Sequence, residues 1–236
     1  WCCHCTLLQA NAGLHESIFY RDAGGVAVCQ YLPAEVTLPI DATQVKIVQQ
    51  VLSQSGENLR ILPVNRDLPA RPDLTQVSLR IEAAAPVEFT LRLRCPWWLK
   101  ADLVVEINGE ACAWEADGSG FACIRRTWQQ DEVRVTLARG LTAWPLPDRP
   151  DSVAFLDGPV VLAGLVGEER LLYGDIADPS SMLAADDERE WQSWKRGWRT
   201  VNQPVGWKFK PLYEIGNEVY TVYFPVLRPA PSLVQE

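Results

Sequence analysis

Residues 89–95 read Phe-Thr-Leu-Arg-Leu-Arg-Cys, so apolar and polar side chains alternate along this stretch. Consecutive side chains of a β-strand point to opposite faces of a sheet, and the pattern therefore predicts a strand with one apolar and one polar face. We expect Phe89, Leu91 and Leu93 to face a core and the two intervening arginines to face solvent. A strand of this kind is typical of an antiparallel β-sandwich.

Similar short runs, bounded by Pro, Gly, Asp and Asn, recur from Gly24 onwards and read as strands. The sequences ING (107–109) and ADGSG (116–120) favour tight hairpins, because glycine accepts a positive φ. An antiparallel meander is therefore predicted over 102–138. The predicted strands are 26–32, 34–39, 45–52, 59–64, 76–83, 87–95, 102–108, 120–128, 132–138 and 218–227.

Residues 6–19 place Leu7, Leu8 and Leu14 at roughly helical intervals and predict one helix. The fold class expected for the chain is all-β, with two packed antiparallel β-sandwich units and a short N-terminal helix. We expect the helix within residues 1–21, the first sandwich at 22–155, and the second at 156–236, where it includes a Trp-rich insertion.

The composition limits the partners and the compartment. The 236 residues contain 22 basic and 30 acidic groups, and the net charge of -8 disfavours nucleic acid and anionic membranes. No apolar run is long enough to span a bilayer. Seven irregularly spaced cysteines favour a reducing compartment, hence the cytoplasm. Because the one methionine is Met182, we expect the chain to be the C-terminal part of a longer protein, with any export signal upstream of Trp1.

The opening WCCHCT concentrates three cysteines and a histidine in four positions. The spacing Cys2-x-x-Cys5 fits a zinc knuckle or a redox dithiol, but the sequence offers neither a second pair of ligands nor a βαβ context. Buried, inert thiols are the alternative, since free cysteine is among the most buried residue types.

His15 reads more simply as a surface group than as a ligand. Core thiols are the usual explanation for the strand cysteines Cys29, Cys95, Cys112 and Cys123, although Cys112 and Cys123 flank one hairpin and could face each other.

Trp191, Trp194 and Trp198 follow one another at helical spacing, and Trp207 lies nearby. Aromatic rings of this kind can form a stacking platform for sugars, or a satellite core under a long loop, which is the simpler interpretation. The acidic run 186–188 ahead of them predicts the first turn of a helix, where negative charge is favourable.

Several segments resemble, in order, the sandwich motifs of the glycoside hydrolase family 127 superfamily, the β-L-arabinofuranosidase type. Residues 1–36 resemble the junction between its catalytic (α/α)6 barrel and its first β-sandwich. The later segments are FTLRLRCPWWL, VVEINGE, GFACIRRTWQQDEVRVTL, VAFLDGPVVLAGLV and FKPLYEIGNEVYTVYF. Together they cover most of the chain, and they identify 1–21 as the end of a barrel.

This resemblance implies a parent enzyme that cleaves arabinofuranosides or related sugars by a zinc-thiolate retaining mechanism. Cys2 would be the nucleophile, and Cys2 and Cys3 would bind zinc together with a Glu and a Cys from the upstream barrel. The chain alone would then be inactive and hold no zinc firmly, and its partners would be its own barrel domain and carbohydrate. Cys5 departs from the family pattern, in which Gly usually follows Cys-Cys-His, and it leaves open which thiols bind the metal.

Two other functions fit the same residues. One is a carbohydrate-binding β-sandwich that uses Trp191, Trp194 and Trp198. The other is a zinc or redox module built on Cys2-x-x-Cys5.

Overall fold

The computed structural model describes residues 3–51, 74–190, 193–195 and 197–228. It contains one α-helix, α1 (Cys3–Ala12), three 3-10 helices (Leu14–Ser17, Pro179–Ser181 and Leu212–Glu214) and many strands, so the all-β prediction is confirmed. The strands are β1 Phe19–Asp22, β2 Gly25–Val28, β3 Ala34–Ile40, β4 Thr43–Val51, β5 Leu74–Arg94, β6 Val104–Ile107, β7 Glu110–Ala111, β8 Glu115–Ala116, β9 Phe121–Ala138, β10 Leu141–Pro145, β11 Ser152–Asp157, β12 Val160–Gly164, β13 Leu172–Tyr173, β14 Leu183–Ala185, β15 Glu188–Glu190, β16 Ser193–Lys195, β17 Trp198–Thr200, β18 Lys208–Pro211 and β19 Tyr223–Leu227.

Contacts divide the described residues into two compact units, unit 1 up to Ala138 and unit 2 from Arg139 onwards. The sequence-based boundary between residues 155 and 156 falls inside β11, which pairs with β10 and belongs to unit 2. Within the described ranges, no helix is long and apolar enough to cross a membrane.

Unit 1 is organised around two long strands, β5 and β9, which pair antiparallel along nearly their whole length. The register shifts between Glu82 and Val87, and this irregularity divides the sheet into two halves. In one half, β4 pairs with β5 and β3 pairs with β4, and on the other side β6 pairs with β9 and β7 pairs with β6. In the other half, β2 pairs with β5 and β1 pairs with β2, while β8 pairs with β9. Both halves contribute to a single apolar core.

The alternation in β5 is as predicted. Phe89, Leu91 and Leu93 are buried in the core of unit 1, whereas Arg94 is exposed. Arg92 lies on the outer face and forms an ion pair with Asp22 at 3.0 Å, so its side chain is 23% exposed. The strand pattern in the sequence therefore identified the core face of this sheet.

Both predicted hairpin turns are present. Asn108 and Gly109 have φ values of 53° and 87° and connect β6 to β7, as a two-residue turn with positive φ at both central positions requires. In the second turn, the Asp117 carboxylate accepts hydrogen bonds from the backbone N–H groups of Ser119 at 2.7 Å and Phe121 at 3.2 Å. These bonds close the connection between β8 and β9.

The expectation of purely antiparallel sheets is wrong at two places. β2 runs parallel to the second half of β5, and β13 runs parallel to β19. Parallel neighbours need a long crossover, and the connection from β2 to β5 supplies one, because it contains the hairpin of β3 and β4.

Several element bounds also differ from the predictions. The runs 76–83 and 87–95 form one strand, and so do 120–128 and 132–138. The predicted helix ends early: α1 stops at Ala12, and β1 begins at Phe19. The predicted strand 59–64 lies outside the described residues.

Unit 2 is a second mixed sheet in the order β13-β19-β11-β12-β18-β17-β14, with β10 beside β11. Its core contains the rings of Phe155, Phe209 and Phe224, whose centroids are 4.9 to 6.2 Å apart. Gly164 of β12 lies under these rings, because a Cβ atom there would be 2.4 Å from the Phe224 Cζ atom. The glycine leaves the space that the aromatic cluster occupies.

The helix predicted from the tryptophan spacing is wrong. The segment forms a two-stranded hairpin of β15 and β16, followed by β17. In β17, Trp198 and Thr200 are buried while Arg199 is exposed, which is the period of a strand. The acidic run is held by neighbours in unit 2: Glu188 pairs with Lys208, and Asp186 lies 3.9 Å from Arg199.

Candidate functional site

The cysteines at the start of the chain lie in or next to α1. Cys2 lies outside the described residues, and Cys3 is the first residue of the helix. Cys5 carries an exposed, free thiol. In the part of the chain that the structure describes, no group of three or more His, Cys, Asp or Glu side chains could hold a metal ion. The roles of Cys2 and Cys3 therefore stay predictions.

α1 exposes its apolar side chains. Every described side chain from Cys5 to Ala12 is exposed, and the exposed fractions of Leu7 and Leu8 are 61% and 71%. His15 follows the helix, and its Nδ1–H donates a hydrogen bond to the carbonyl oxygen of Ala12 at 2.8 Å. A side chain bonded in this way caps the last carbonyl groups of a helix.

Cys29, Cys95, Cys112 and Cys123 are free thiols, but only Cys123 lies in a strand, β9, while the other three directly follow β2, β5 and β7. Burial raises the pKa of the Cys29, Cys95 and Cys123 thiols. A raised pKa lowers the fraction of thiolate, so these thiols are poor nucleophiles at neutral pH. Cys123 lies opposite Glu115 in the pair of β8 and β9, and not opposite Cys112. None of the three is fully exposed, as a reactive thiol would be.

The three tryptophans singled out by the sequence have different positions. Trp191 lies outside the described residues, and Trp194 lies in β16. Trp198 is buried in the core of unit 2, where it lies opposite Phe209 in the pair of β17 and β18. Its ring belongs to the hydrophobic core of the unit.

The outer face of unit 1 carries arginines, and two of them form ion pairs. Arg92 pairs with Asp22, and Arg125 pairs with Glu88 at 2.6 Å. A hydrogen bond from the backbone N–H of Gly24, together with the Arg92 guanidinium, lowers the pKa of the Asp22 carboxyl. Paired charges of both signs do not form the basic surface that a nucleic acid would require.

Unit 2 has an outer face with exposed aromatic rings, which the sequence analysis missed. Trp144 of β10 lies opposite Ala154 of β11, and Ala154 lies opposite Tyr223 of β19. The two rings are 54% and 42% exposed. The signal in the sequence was the alternation in YFPVL, where Phe224 and Val226 face the core and leave Tyr223 on the opposite face.

Two comparisons with known proteins found similarity to GH127 proteins. Residues 25–139 match the family model "Beta-L-arabinofuranosidase, GH127 middle domain". A crystal structure of a GH127 β-L-arabinofuranosidase from Geobacillus stearothermophilus T6 is similar over 96% of this chain, with a TM-score of 0.68 and 22% identity. In a comparison with curated proteins, none matches this chain.

Two further structures show the same fold. One is described as a glycoside hydrolase, with a TM-score of 0.62 and 16% identity over 89% of this chain. The other is a GH127 β-arabinofuranosidase, with a TM-score of 0.62 and 19% identity over 90%. The chain covers 37% of the length of each of the three solved structures. Residues 25–139, just under half of the chain, therefore match the GH127 middle domain, as the motifs in the sequence indicated.

Proposed function

We propose that this chain is the non-catalytic β-region of a GH127 glycoside hydrolase whose complete form cleaves arabinofuranosides or related sugars. The match of residues 25–139 to the middle domain carries this proposal. The similarity to solved structures extends over both units but over 37% of those chains. The remaining length of such an enzyme would hold the barrel, which is the partner domain that we infer.

The exposure of α1 supports this division of roles. A ten-residue helix is marginally stable in water, and its stability in a protein comes mainly from packing of an apolar face. Here Leu7 and Leu8 are largely exposed. A helical partner domain that packs on α1 would bury both leucines, and it would also enclose the cysteines at the start of the helix.

The catalytic chemistry that we infer for the complete enzyme uses Cys2 as nucleophile, with Cys2 and Cys3 as zinc ligands. Zinc would lower the pKa of a bound thiol and so increase its thiolate fraction. A retaining glycosidase also needs a carboxylic acid that protonates the leaving oxygen. The described residues do not fit a zinc site on their own, because no three potential ligands cluster among them. The remaining ligands and the acid would come from the barrel.

The test compares the chain alone with the same chain joined to its upstream coding region. We expect the joined protein to hydrolyse an aryl β-L-arabinofuranoside and to contain about one zinc ion, and the chain alone to do neither. Cys2→Ala in the joined protein should abolish turnover. Cys112→Ala, which removes a thiol of the first sheet, is the matched control and should leave turnover unchanged. Turnover by the chain alone above its own Cys2→Ala variant would refute the proposal.

The same measurements separate the alternative functions. Stoichiometric zinc in the chain alone would favour the module built on Cys2-x-x-Cys5. Affinity for sugars in the chain alone would favour a carbohydrate-binding role. The five cysteines whose side chains the structure describes are free, which agrees with the reducing, cytoplasmic location that we propose for the protein.

A further inference from the structure

The exposed rings on unit 2 form one row across three strands. Trp144, Ala154 and Tyr223 are direct cross-strand neighbours. Their neighbours in sequence, Ala143 and Phe224, pack in the core of the unit, so all three side chains of the row point outwards. Adjacent strands lie about 4.8 Å apart, and the two rings therefore leave the sheet roughly 10 Å from each other. The methyl group of Ala154 forms the floor between them.

The three strands of this row are uncharged on their outward side. The outward positions of β10, β11 and β19 carry no charged side chain, although the chain contains 52 charged residues, 22 basic plus 30 acidic. Along β19 the outward positions after Tyr223 are Pro225 and Leu227, and Tyr173 of β13 lies beside Leu227. A neutral ligand matches such a face, whereas an anionic or cationic one would find no counter-charge in the row.

We propose that this row, the Trp144–Tyr223 trough, binds a neutral oligosaccharide, with one sugar unit on each ring. Sugar rings present C–H groups that pack on aromatic faces. The proposal extends the proposed function, from which it takes the choice of arabinose-containing sugars. The trough binds the polysaccharide and takes no part in cleavage.

A protein partner is the competing occupant, because large exposed apolar patches also mark protein interfaces. A stable protein interface buries roughly 1,200–2,000 Å² in total, far more than two rings and a methyl group provide. Two separated rings with a small residue between them suit a chain of sugar units better than a continuous protein surface. The experiment includes the formation of dimers as an outcome.

Affinity electrophoresis of the intact 236-residue chain in native gels tests the proposal. Gels containing neutral arabinan should retard the chain, and gels with polygalacturonate, which is anionic, should not. Trp144→Ala and Tyr223→Ala should each weaken the retardation roughly 10-fold, because each removes one stacking surface. Tyr20→Ala removes an equally exposed ring from β1 in unit 1 and should change nothing.

A further variant protects the test against loss of folding. Ala154→Gln keeps both rings and fills the space between them, so it should abolish the retardation while the unfolding midpoint stays within the range of the Tyr20→Ala control. Absence of retardation in arabinan, or retardation that neither ring variant alters, would overturn the proposal. Sedimentation that shows a dimer lost in Trp144→Ala would overturn it too, since the row would then be a contact between copies.

The outcome is independent of the proposed enzymatic role. If the complete enzyme hydrolyses arabinofuranosides and the chain does not bind arabinan, the trough proposal alone fails. If the chain binds arabinan through both rings and the complete enzyme has no hydrolytic activity, the proposed function alone fails.

Discussion

Gly25→Ala adds a single methyl group where the backbones of β2 and β5 approach most closely. The new Cβ atom would lie 2.0 Å from the carbonyl oxygen of Thr90 and 2.8 Å from its backbone nitrogen. These atoms cannot move aside cheaply, because Thr90 is held in the parallel pair and its N–H donates to the Gly24 carbonyl oxygen at 3.1 Å. Gly25 also has a φ of 147°, which a residue with a side chain rarely adopts.

Two contributions set the expected loss of unfolding free energy in the Gly25→Ala protein. Overpacking of one methyl group costs about 1–3 kcal/mol. A strained backbone conformation of this kind costs a further ~1–3 kcal/mol. The free energy of unfolding should therefore fall by roughly 2–6 kcal/mol, a large part of the ~5–15 kcal/mol that stabilises a typical domain. Gly118→Ala is the matched control, because its φ is 73° but no atom lies within 4 Å of the added Cβ. It should cost only about 1–2 kcal/mol.

Native-state hydrogen exchange, resolved by peptide, measures the effect in each unit separately. We expect faster exchange in the amides of β5 and β9 in the Gly25→Ala protein and unchanged protection in β11 and β19 of unit 2. The reasoning would be refuted by protection in β5 and β9 that matches the Gly118→Ala control or the unaltered chain. Such a result would mean that β2 and β5 do not form the close parallel pair.

Three other measurements test the assignments made above. Leu91→Ala should lower the free energy of unfolding by about 2–5 kcal/mol, because it opens a cavity in a closed core. Arg125→Ala should lower it by less than ~1 kcal/mol, because it removes an exposed ion pair. Chemical denaturation measures both changes. A maleimide reagent should label the exposed Cys5 before Cys95, because burial raises the pKa of the Cys95 thiol. Mass spectrometry of samples labelled at neutral pH gives the order of reaction, and faster labelling of Cys95 would contradict the prediction. The hydrogen bond from Lys210 lowers the pKa of Glu218 from 4.5 to about 2. The stability that this pair contributes should therefore be present above pH 4.5 and be lost as the pH falls towards 2. Carboxyl NMR titration would show an ordinary pKa for Glu218 if the pair does not form.

The local features of the first sheet could be predicted because they depend on nearest neighbours in the sequence. The alternation around Leu91 indicated the core face, and Asn108-Gly109 indicated a turn that needs positive φ. The continuity of β5 could not be predicted in the same way. Pro86 lacks a backbone N–H and argues against an uninterrupted strand, yet the strand passes through it at the position where the register shifts. At Pro86, the tertiary pairing of β5 with β9 determines that the strand continues.

The errors in unit 2 have a similar origin. Spacings of three and four residues between tryptophans are compatible with a helix, but they do not exclude strands separated by short turns. The segment forms a hairpin whose Glu188 pairs with Lys208 of β18, and in β17, which follows, Trp198 lies opposite Phe209 of β18. The parallel pairs depend on residues far apart in sequence, so no local pattern could indicate them. For the aromatic row, the alternation in YFPVL indicated the outward side of Tyr223 but not its cross-strand neighbours. Trp144 and Tyr223 are 79 positions apart, 223 minus 144, and only the sheet brings them together.

The boundary between the units follows from how β9 ends. The last residue of β9, Ala138, lies opposite Leu74, the first residue of β5, so the two longest strands of unit 1 finish together. The next strand, β10, has its partner in β11 and contributes to the second core. The family match also ends at residue 139. The hydrogen-bond ladder, the core of unit 1 and the family match therefore all end within two residues of each other, at the boundary between the units. Substitutions in that core should act on this unit first, and those in the aromatic row of unit 2 should leave it intact.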